Sequence, residues 1–273
     1  MSGFSIEWLN LREDADLQAR DPDLLARAMN WLESGSAAMP IVLDLGAGTG
    51  SSLRALTASN KPVMNSVCWR LVDNDSALLA EASRRHGSSE HLEIHAMDLG
   101  KISTLPMDGT RLITASALFD LVSADFLEAL TAAASRASED VEIAIYAELN
   151  YDGRTDWDPA HPLDGTILTA FNTDQRRDKG FGPALGPDAV GHMTEIFSRA
   201  GFQVRAADSP WNLGPADKKL TSTLIEGIAG AVTNQGSIDL ADVADWKRFR
   251  QLHVATGNCT VGHTDVLALS RQR

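Results

Sequence analysis

The stretch VLDLGAGTG, from Val42 to Gly50, constrains the fold of this chain more than any other part of the sequence. A short apolar run contains one acid, Asp44, and three glycines then occupy alternate positions, the first two being Gly46 and Gly48. Glycine weakens a strand or a helix because it has no side chain to pack and loses much conformational entropy on folding. The stretch is therefore predicted to be a turn that follows a strand directly and that another group approaches closely.

Apolar runs and segments of helical spacing alternate along the rest of the chain. Strands are predicted at Met39–Leu45, Ser66–Val72, His91–Met97, Arg111–Ala115, Val141–Leu149, Phe202–Ala207 and Cys259–Leu269. Helices are predicted within Asp16–Glu33 and at Ser51–Ala58, Ser76–His86, Ala124–Ser135, Gly165–Asp178, Pro187–Ala200, Leu220–Val232 and Leu240–Leu252. This alternation predicts an α/β fold with right-handed crossovers, in which helices cover both faces of a doubly wound, mostly parallel seven-stranded sheet.

A single domain is predicted, because no linker separates two apolar cores. Residues 1–38 are interpreted as an N-terminal helical cap and residues 39–149 as the core that carries the glycine turn. Residues 150–188, rich in Gly, Pro, Asp and aromatic residues, break the alternation and are interpreted as a lid-like insertion after strand five. Residues 189–273 complete the sheet and add helices.

Composition limits the partners. The 273 residues carry a formal net charge of −13, which argues against a nucleic-acid backbone as ligand, because such binding needs clustered Lys and Arg. No apolar run is long enough to cross a bilayer, and the N-terminus does not have the pattern of a signal peptide. The two cysteines, Cys68 and Cys259, are predicted to be free thiols in a reducing compartment. A cytoplasmic protein with a small-molecule substrate, no membrane partner and no metal site is expected, and its oligomeric state stays open.

The glycine turn is compatible with two kinds of cofactor site. A dinucleotide fingerprint reads G-x-G-x-x-G/A, but Ser51 stands at its sixth position here. The turn instead reads Asp-x-Gly-x-Gly-x-Gly. In a doubly wound sheet such a turn lies at the carboxyl edge of the strands, where its glycines let an adenosine-type cofactor approach the backbone.

Four segments in chain order, VLDLGAGTGSSL, LVDNDSALL, HAMDL and ITASALFDLVS, make the chain resemble the class I S-adenosylmethionine-dependent methyltransferases. The resemblance covers about residues 39–151, and CTVGHTDVLAL is similar to the antiparallel last strand of that fold. It implies a Rossmann-like methyltransferase fold, S-adenosylmethionine as cofactor and methyl transfer as the activity. The implied cofactor-binding residues are Asp44, Gly46, Ala47, Gly48, Gly50, Asp73, Asn74, Asp98, Leu99, Ser116 and Ala117.

The chemistry of the cofactor agrees with these positions. Asp44 can receive the ammonium group, directly or through water. Asp73, after the second strand, can accept hydrogen bonds from both ribose hydroxyls, and it is expected to face a solvated cleft with no buried partner. By the resemblance, Asp98 meets the adenine amino group and the Leu99 N–H a ring nitrogen, while Ser116 and Ala117 lie beneath the sulfonium side. Asp73 is also compatible with a helix N-cap, although Asn74 or Asp75 can cap that helix equally well.

No residue is marked as uniquely catalytic. The candidates for a general base lie at the carboxyl ends of the later strands and in the insertion: Glu148, Asn150, Tyr151, His161 and His263. Glu148 is also compatible with an exposed strand end, His161 with a surface loop and His263 with a core histidine. Aromatic residues of the insertion and of the cap are expected to close over the site and enclose a small-molecule pocket.

The Asn-Pro-Pro-Tyr signature of nucleic-acid amino methylation is absent after strand four, where TASAL stands instead. The sequence therefore predicts a methyltransferase for a small-molecule acceptor. Two alternatives stay open: a protein that binds S-adenosylmethionine without catalysis, and a nicotinamide-dependent oxidoreductase. Ser51 and Asp44 count against the second, because the position equivalent to Asp44 is normally apolar before a dinucleotide loop.

Overall fold

A computed structural model describes residues 4–35, 39–59, 61–87, 91–137 and 142–270. Residues 1–3 and 36–38 of the predicted cap, and Val141 of the fifth predicted strand, lie outside these residues. In the part of the chain that is described, no helix has the length and apolar character needed to cross a membrane.

One mixed sheet organises the described residues. Its eight strands are β1 (Ile41–Leu45), β2 (Cys68–Asp73), β3 (Leu92–Ala96), β4 (Thr110–Ser116), β5 (Ala144–Asp158), β6 (Gln203–Asp208), β7 (Trp211–Leu213) and β8 (Asn258–Leu269). They are ordered β3-β2-β1-β4-β5-β8-β6, and β7 pairs with the N-terminal half of β8. The pairs from β3 to β5 are parallel, and β8 runs antiparallel to β5, β6 and β7. The predicted doubly wound fold with an antiparallel last strand is confirmed.

Helices cover both faces of this sheet. Those in the described residues are α1 (Ile6–Ala19), α2 (Pro22–Glu33), α3 (Ser51–Thr57), α4 (Ser76–His86), α5 (Ala124–Ala137), α6 (Asp164–Gln175), α7 (Ala189–Arg199), α8 (Lys218–Gln235) and α9 (Leu240–His253). Met29, Leu56 and Leu79 of α2, α3 and α4 pack on one face. Leu127 of α5 and Phe197 of α7 pack on the other. Burial of these apolar faces from water provides the main stabilisation of the fold.

The later helices form a separate apolar cluster. Ile167 of α6, Ile225 of α8 and Trp246 of α9 meet there, and Trp157 near the end of β5 packs edge-on against Trp246. The segment after strand five therefore joins the C-terminal helices in a core of its own.

Two elements differ from the sequence prediction. β5 does not end at Leu149 but continues to Asp158, because the N-terminal half of β8 pairs with this continuation across two bulges. The polar stretch from Asn150 to Asp158 is therefore strand rather than loop. The sheet also has one strand more than predicted: the short β7, which Trp211 opens, was missed.

Candidate functional site

The glycine turn connects β1 to α3 at the point where the strand order reverses between β1 and β4. Open α/β sheets bind ligands at such a point, outside the carboxyl ends of the strands. Gly46, Gly48 and Gly50 have φ values of 63°, 54° and 85°. These left-handed conformations explain the three glycines, because other residues adopt them only with strain.

Asp73, at the end of β2, holds the turn in place. One of its carboxylate oxygens accepts a hydrogen bond from the Gly48 N–H at 2.9 Å, and the other accepts one from the Asp75 N–H at 2.9 Å. The residue is buried. The expectation that Asp73 faces a solvated cleft without a buried partner is therefore wrong, because its carboxylate satisfies two backbone donors. Asp75 caps α4, as the sequence allowed, by accepting hydrogen bonds from Ala77 and Leu78.

The other residues implied for the adenosine end lie beside β2 and β3 and differ in exposure. Asn74 and Asp98 are exposed, whereas Leu99 is buried in the main core. The Asp98 carboxylate accepts a hydrogen bond from the Gly100 N–H at 3.0 Å. Ala47, inside the turn, is also buried, and its N–H donates to the Val72 carbonyl at 3.1 Å.

Asp44 is a buried carboxylate at the end of β1. Its Oδ1 accepts a hydrogen bond from Thr114 of β4 at 2.8 Å, and its Oδ2 has no hydrogen-bond partner among the described residues. Burial raises the pKa of Asp44 to about 7, and the hydrogen bond from Thr114 opposes that rise. A buried acid with one unpartnered oxygen is costly to keep, and this makes Asp44 a candidate for a functional position.

Ser116 and Ala117 end β4 next to this acid. The Ala117 N–H donates to the Glu148 carbonyl at 2.9 Å, with Ala117 in a left-handed conformation at φ 51°. The Ser116 hydroxyl accepts a hydrogen bond from Arg20 at 3.3 Å. Strained backbone of this kind occurs often at functional sites.

Glu148 is fully buried and forms an ion pair with Arg20, whose Nε lies 2.7 Å from Glu148 Oε2. Its interpretation as an exposed strand-end residue is therefore excluded. Burial raises the pKa of Glu148 to about 7, and the positive charge of Arg20 limits that rise. Glu148 lies at the carboxyl edge of β4 and β5, and its capacity to act as a base is restrained by this ion pair.

The N-terminal helix α1 lies directly over the glycine turn. A Cβ placed on Gly48 would lie 3.2 Å from the Leu9 side chain. Glu13 forms an ion pair with Arg54 of α3, which also donates to the Thr49 carbonyl. The predicted N-terminal cap therefore contacts the turn itself.

Asn150 and Tyr151 of β5 have structural partners. The Asn150 amide donates to the carbonyls of Ala147 and Thr264, which bridges the bulge between β5 and β8. The Tyr151 hydroxyl donates to Asn172 at 2.8 Å, and burial raises the pKa of Tyr151 to about 12. Neither group is poised to accept a proton.

The two histidine candidates pack against different aromatic residues. His161 packs against Phe249 of α9 with ring centroids 4.8 Å apart. His263 of β8 packs against Trp211 with centroids 4.9 Å apart, and burial lowers the pKa of His263 to about 3. His263 is thus a neutral core histidine, and its Nδ1 has no hydrogen-bond partner among the described residues.

Sequence reasoning missed Arg20. It follows α1 directly, and its Nη2 reaches both Ser51 at 3.1 Å and Ser116 at 3.3 Å. The dipeptide that follows it, Asp21-Pro22, is a recognisable helix start, since Asp21 caps α2. That signal places Arg20 at a helix junction, but nothing in the sequence indicates that the junction lies against the glycine turn.

No family model matches this chain, and no curated relative matches it either. Solved structures do. The cyclopropane synthase MmaA2 of Mycobacterium tuberculosis is 12% identical, with 97% of this chain and 94% of that chain covered and a TM-score of 0.50. A sarcosine dimethylglycine methyltransferase candidate from Galdieria sulphuraria is 13% identical, with 97% of each chain covered and a TM-score of 0.49. Geranyl diphosphate C-methyltransferase of Streptomyces coelicolor A3(2) is 12% identical, with 90% of this chain and 80% of that chain covered and a TM-score of 0.47. The likeness to the synthase over nearly the whole of both chains confirms the predicted fold.

Proposed function

We propose that this chain, which has the class I methyltransferase fold, is an S-adenosylmethionine-dependent methyltransferase acting on a small-molecule acceptor. The proposal depends on one observation above all. Three left-handed glycines lie at the switch point of the sheet, and Asp73 holds the middle one through its N–H. The glycines of such a turn let a cofactor approach the backbone closely, and Ser51 at the sixth position departs from the dinucleotide fingerprint.

The residues proposed to hold the cofactor follow the edge of the sheet. The exposed Asn74 and Asp98 serve the adenosine end, with Leu99 beside them, and Asp73 serves the ribose. Asp44, Ser116 and Ala117 serve the opposite end, and Gly46, Ala47, Gly48 and Gly50 form the surface between. Asp73 already accepts two backbone hydrogen bonds. A carboxylate has about four lone-pair sites, so capacity for the ribose hydroxyls remains.

S-Adenosylmethionine, when bound by these residues, would supply a methyl group activated by its positively charged sulfur. The protein's task is then to align the acceptor with the methyl group, and positioning of that kind can lower a barrier by several kcal/mol. A general base is needed only where the acceptor must lose a proton. The ion-paired Glu148 and the neutral, buried His263 favour an acceptor that needs no strong base.

Binding without catalysis is the second candidate. It is favoured by the partners of Glu148, Asn150 and Tyr151, each of which makes a structural hydrogen bond. The acid Asp44 at the end of β1 counts against a nicotinamide site.

Isothermal titration calorimetry with S-adenosylhomocysteine, NAD and NADP separates the cofactor classes. We expect micromolar or tighter binding of S-adenosylhomocysteine and no heat with either nicotinamide cofactor. Heat with NAD alone would overturn the proposal. Turnover is then measured with S-adenosylmethionine labelled in its methyl group, against panels of small amines, carboxylates, phenols and alkenes. Binding without transfer to any of them would favour the second candidate.

A further inference from the structure

A row of aromatic rings crosses the sheet beyond the point where β4 ends. Each ring contacts the next, with centroids between 4.9 and 6.4 Å apart. In order, the row consists of Phe171 of α6, Tyr151 of β5, His263 of β8, Trp211 of β7 and Trp8 of α1. We call this row the aromatic wall. Its three inner rings are buried, whereas Phe171 and Trp8 are partly exposed, so solvent reaches both ends of the wall.

A buried acid, Asp120, lies beside the aromatic wall. It follows β4 in the loop that leads to α5, and the backbone amides of Asp120 and Tyr151 stabilise the charge of its carboxylate. Its Oδ1 has no hydrogen-bond partner among the described residues. Tyr151 thus contributes a ring to the wall and a backbone amide to the acid, which brings the two features together.

No cation in the described part of the chain forms an ion pair with Asp120. The charges of Arg12 and Lys179 influence it, but both groups are bound elsewhere. Arg12 Nε donates to Asp16 at 2.8 Å. Lys179 Nζ donates to Asp174 at 3.0 Å. Burial therefore raises the pKa of Asp120 to about 6, and its negative charge lacks a direct counterion.

One end of the aromatic wall already holds a cation. The guanidinium carbon of Arg12 lies 5.0 Å from the centroid of the Trp211 ring, within the range of a cation–π contact. Among the described residues, no cation lies over Tyr151 or Phe171 in this way. The half of the wall beside Asp120 therefore combines aromatic faces with an acid and has no positive group of its own.

We propose that Asp120 and the rings of Tyr151 and Phe171 bind the acceptor of the methyl transfer, and that this acceptor is an amine held as its ammonium ion. The inference rests on the proposed function. An ammonium group supplies the N–H donor that Asp120 Oδ1 lacks, and aromatic faces attract its charge. An anionic acceptor would instead be repelled by a buried acid that has no counterion.

The position and basicity of Asp120 suit this acceptor. Asp120 lies three residues after Ala117, which is proposed to lie at the sulfonium end of the cofactor. An ammonium nitrogen must lose one proton before its lone pair is free, and Asp120 Oδ1 accepts that proton and passes it to solvent when the product leaves. A carboxylate with a pKa of about 6 is a base of the strength that an amine requires, whereas an alcohol would need a stronger one.

The test compares two ligands of similar shape and different charge. Calorimetry with the full chain saturated with S-adenosylhomocysteine measures the affinities for benzylamine, which is protonated at neutral pH, and for benzyl alcohol, which is uncharged. Asp120→Asn removes the charge and keeps one oxygen as an acceptor. The matched control is Asp152→Asn, which changes an acid next to Tyr151 that already pairs with Arg154.

A second pair of variants tests the aromatic ring beside the acid. Tyr151→Phe and Tyr151→Leu both lose the hydroxyl that donates to Asn172, and only Tyr151→Leu also loses the ring. The difference between the two variants therefore isolates the contribution of the ring.

We expect the wild-type chain to prefer benzylamine to benzyl alcohol by about tenfold or more, the effect of one hydrogen bond to a charged group. The preference should fall to within about twofold in Asp120→Asn and persist in Asp152→Asn. It should be about threefold lower in Tyr151→Leu than in Tyr151→Phe.

A wild-type chain without this preference would overturn the inference, as would a preference that is undiminished in Asp120→Asn. Equal preferences in the two Tyr151 variants would remove the ring from the site. Binding of S-adenosylhomocysteine is measured first and separates the two proposals. If it binds and benzylamine is not preferred, only this inference fails, whereas absence of S-adenosylhomocysteine binding means that the proposed function fails.

Discussion

Asp73 is the residue whose role changes most between the sequence and the structure. Its carboxylate satisfies the N–H groups of Gly48 and Asp75, so Asp73→Ala leaves two donors without their acceptor. We expect the ligand-free protein to lose about 1–3 kcal/mol of unfolding free energy, and its affinity for S-adenosylhomocysteine to fall as well. Asp73→Asn, which retains one carbonyl acceptor, should lose less of both. Urea denaturation and calorimetry measure the two effects, with Asp108→Ala, an exposed acid just before β4, as control. Unchanged ligand-free stability in Asp73→Ala would contradict the structural role.

Asp44 makes the stability of the empty protein depend on pH. Burial raises the pKa of Asp44 from an ordinary value of 3.8 to about 7, with Thr114 and Arg20 opposing that rise. Between these values the folded chain holds a proton that the unfolded chain has lost, so the unfolding free energy should fall as pH rises from about 4 to about 7. Asp44→Asn should therefore stabilise the ligand-free protein by about 1–3 kcal/mol at pH 8 and much less at pH 4, while weakening cofactor binding. Urea denaturation at both pH values checks this, with Asp98→Asn as control, and a loss of stability at pH 8 would contradict it.

How much of the site the sequence could predict depends on what each residue type reveals. The glycines and Asp44 could be named as candidates because positive φ angles and an acid at a strand end leave a pattern within a few residues. Arg20 leaves no local sequence pattern, because its partners Ser51, Ser116 and Glu148 are distant in the chain. Long-range ion pairs of this kind depend on how helices dock, which local spacing does not contain.

At the scale of elements, periodicity predicted the helices and strands that bury apolar side chains and missed those that bury charged ones. The strands β1, β2 and β4 and the helix α4 match their predicted positions closely, because their inward faces are apolar. The start of α1 was missed, since the residues it buries are Arg12 and Asp16 while Leu17 is exposed. The continuation of β5 was missed because turn-forming residues such as Gly153 are tolerated beside bulges.

α1 is the element expected to respond to the cofactor. It contacts the glycine turn through Leu9 and α3 through Glu13, and Arg20 at its end pairs with Glu148. We expect amide hydrogen exchange in residues 8–12 to slow when S-adenosylhomocysteine binds. α9, in the separate C-terminal cluster, serves as the internal control. Equal protection in α1 with and without ligand would mean that the helix is a fixed part of the fold.

For the whole molecule, ligand binding should appear as thermal stability. At a concentration one hundred times its Kd, a ligand that binds only the folded state adds about 2.7 kcal/mol. For a chain of this size that corresponds to a rise in Tm of roughly 5–10 °C. We expect this rise with S-adenosylhomocysteine and none with NAD. Gly48→Val, which places a β-branched side chain at a positive φ and against Leu9, should fold with a lower Tm and show no rise. A full rise in that variant would place the ligand elsewhere.

The position of α1, which ends at the ion pair between Arg20 and Glu148, has a consequence for the rate at which a ligand binds. Because α1 lies over the glycine turn and ends at a buried ion pair, we expect a ligand to reach the turn only after the helix is displaced. Association should then be limited by that opening, and the observed rate should reach a plateau as ligand concentration increases instead of rising in proportion to it. Stopped-flow measurements of tryptophan fluorescence, with Trp8 as the reporter on α1, would follow the opening directly. On this expectation the first helix, rather than the ligand concentration, would set how fast S-adenosylhomocysteine exchanges.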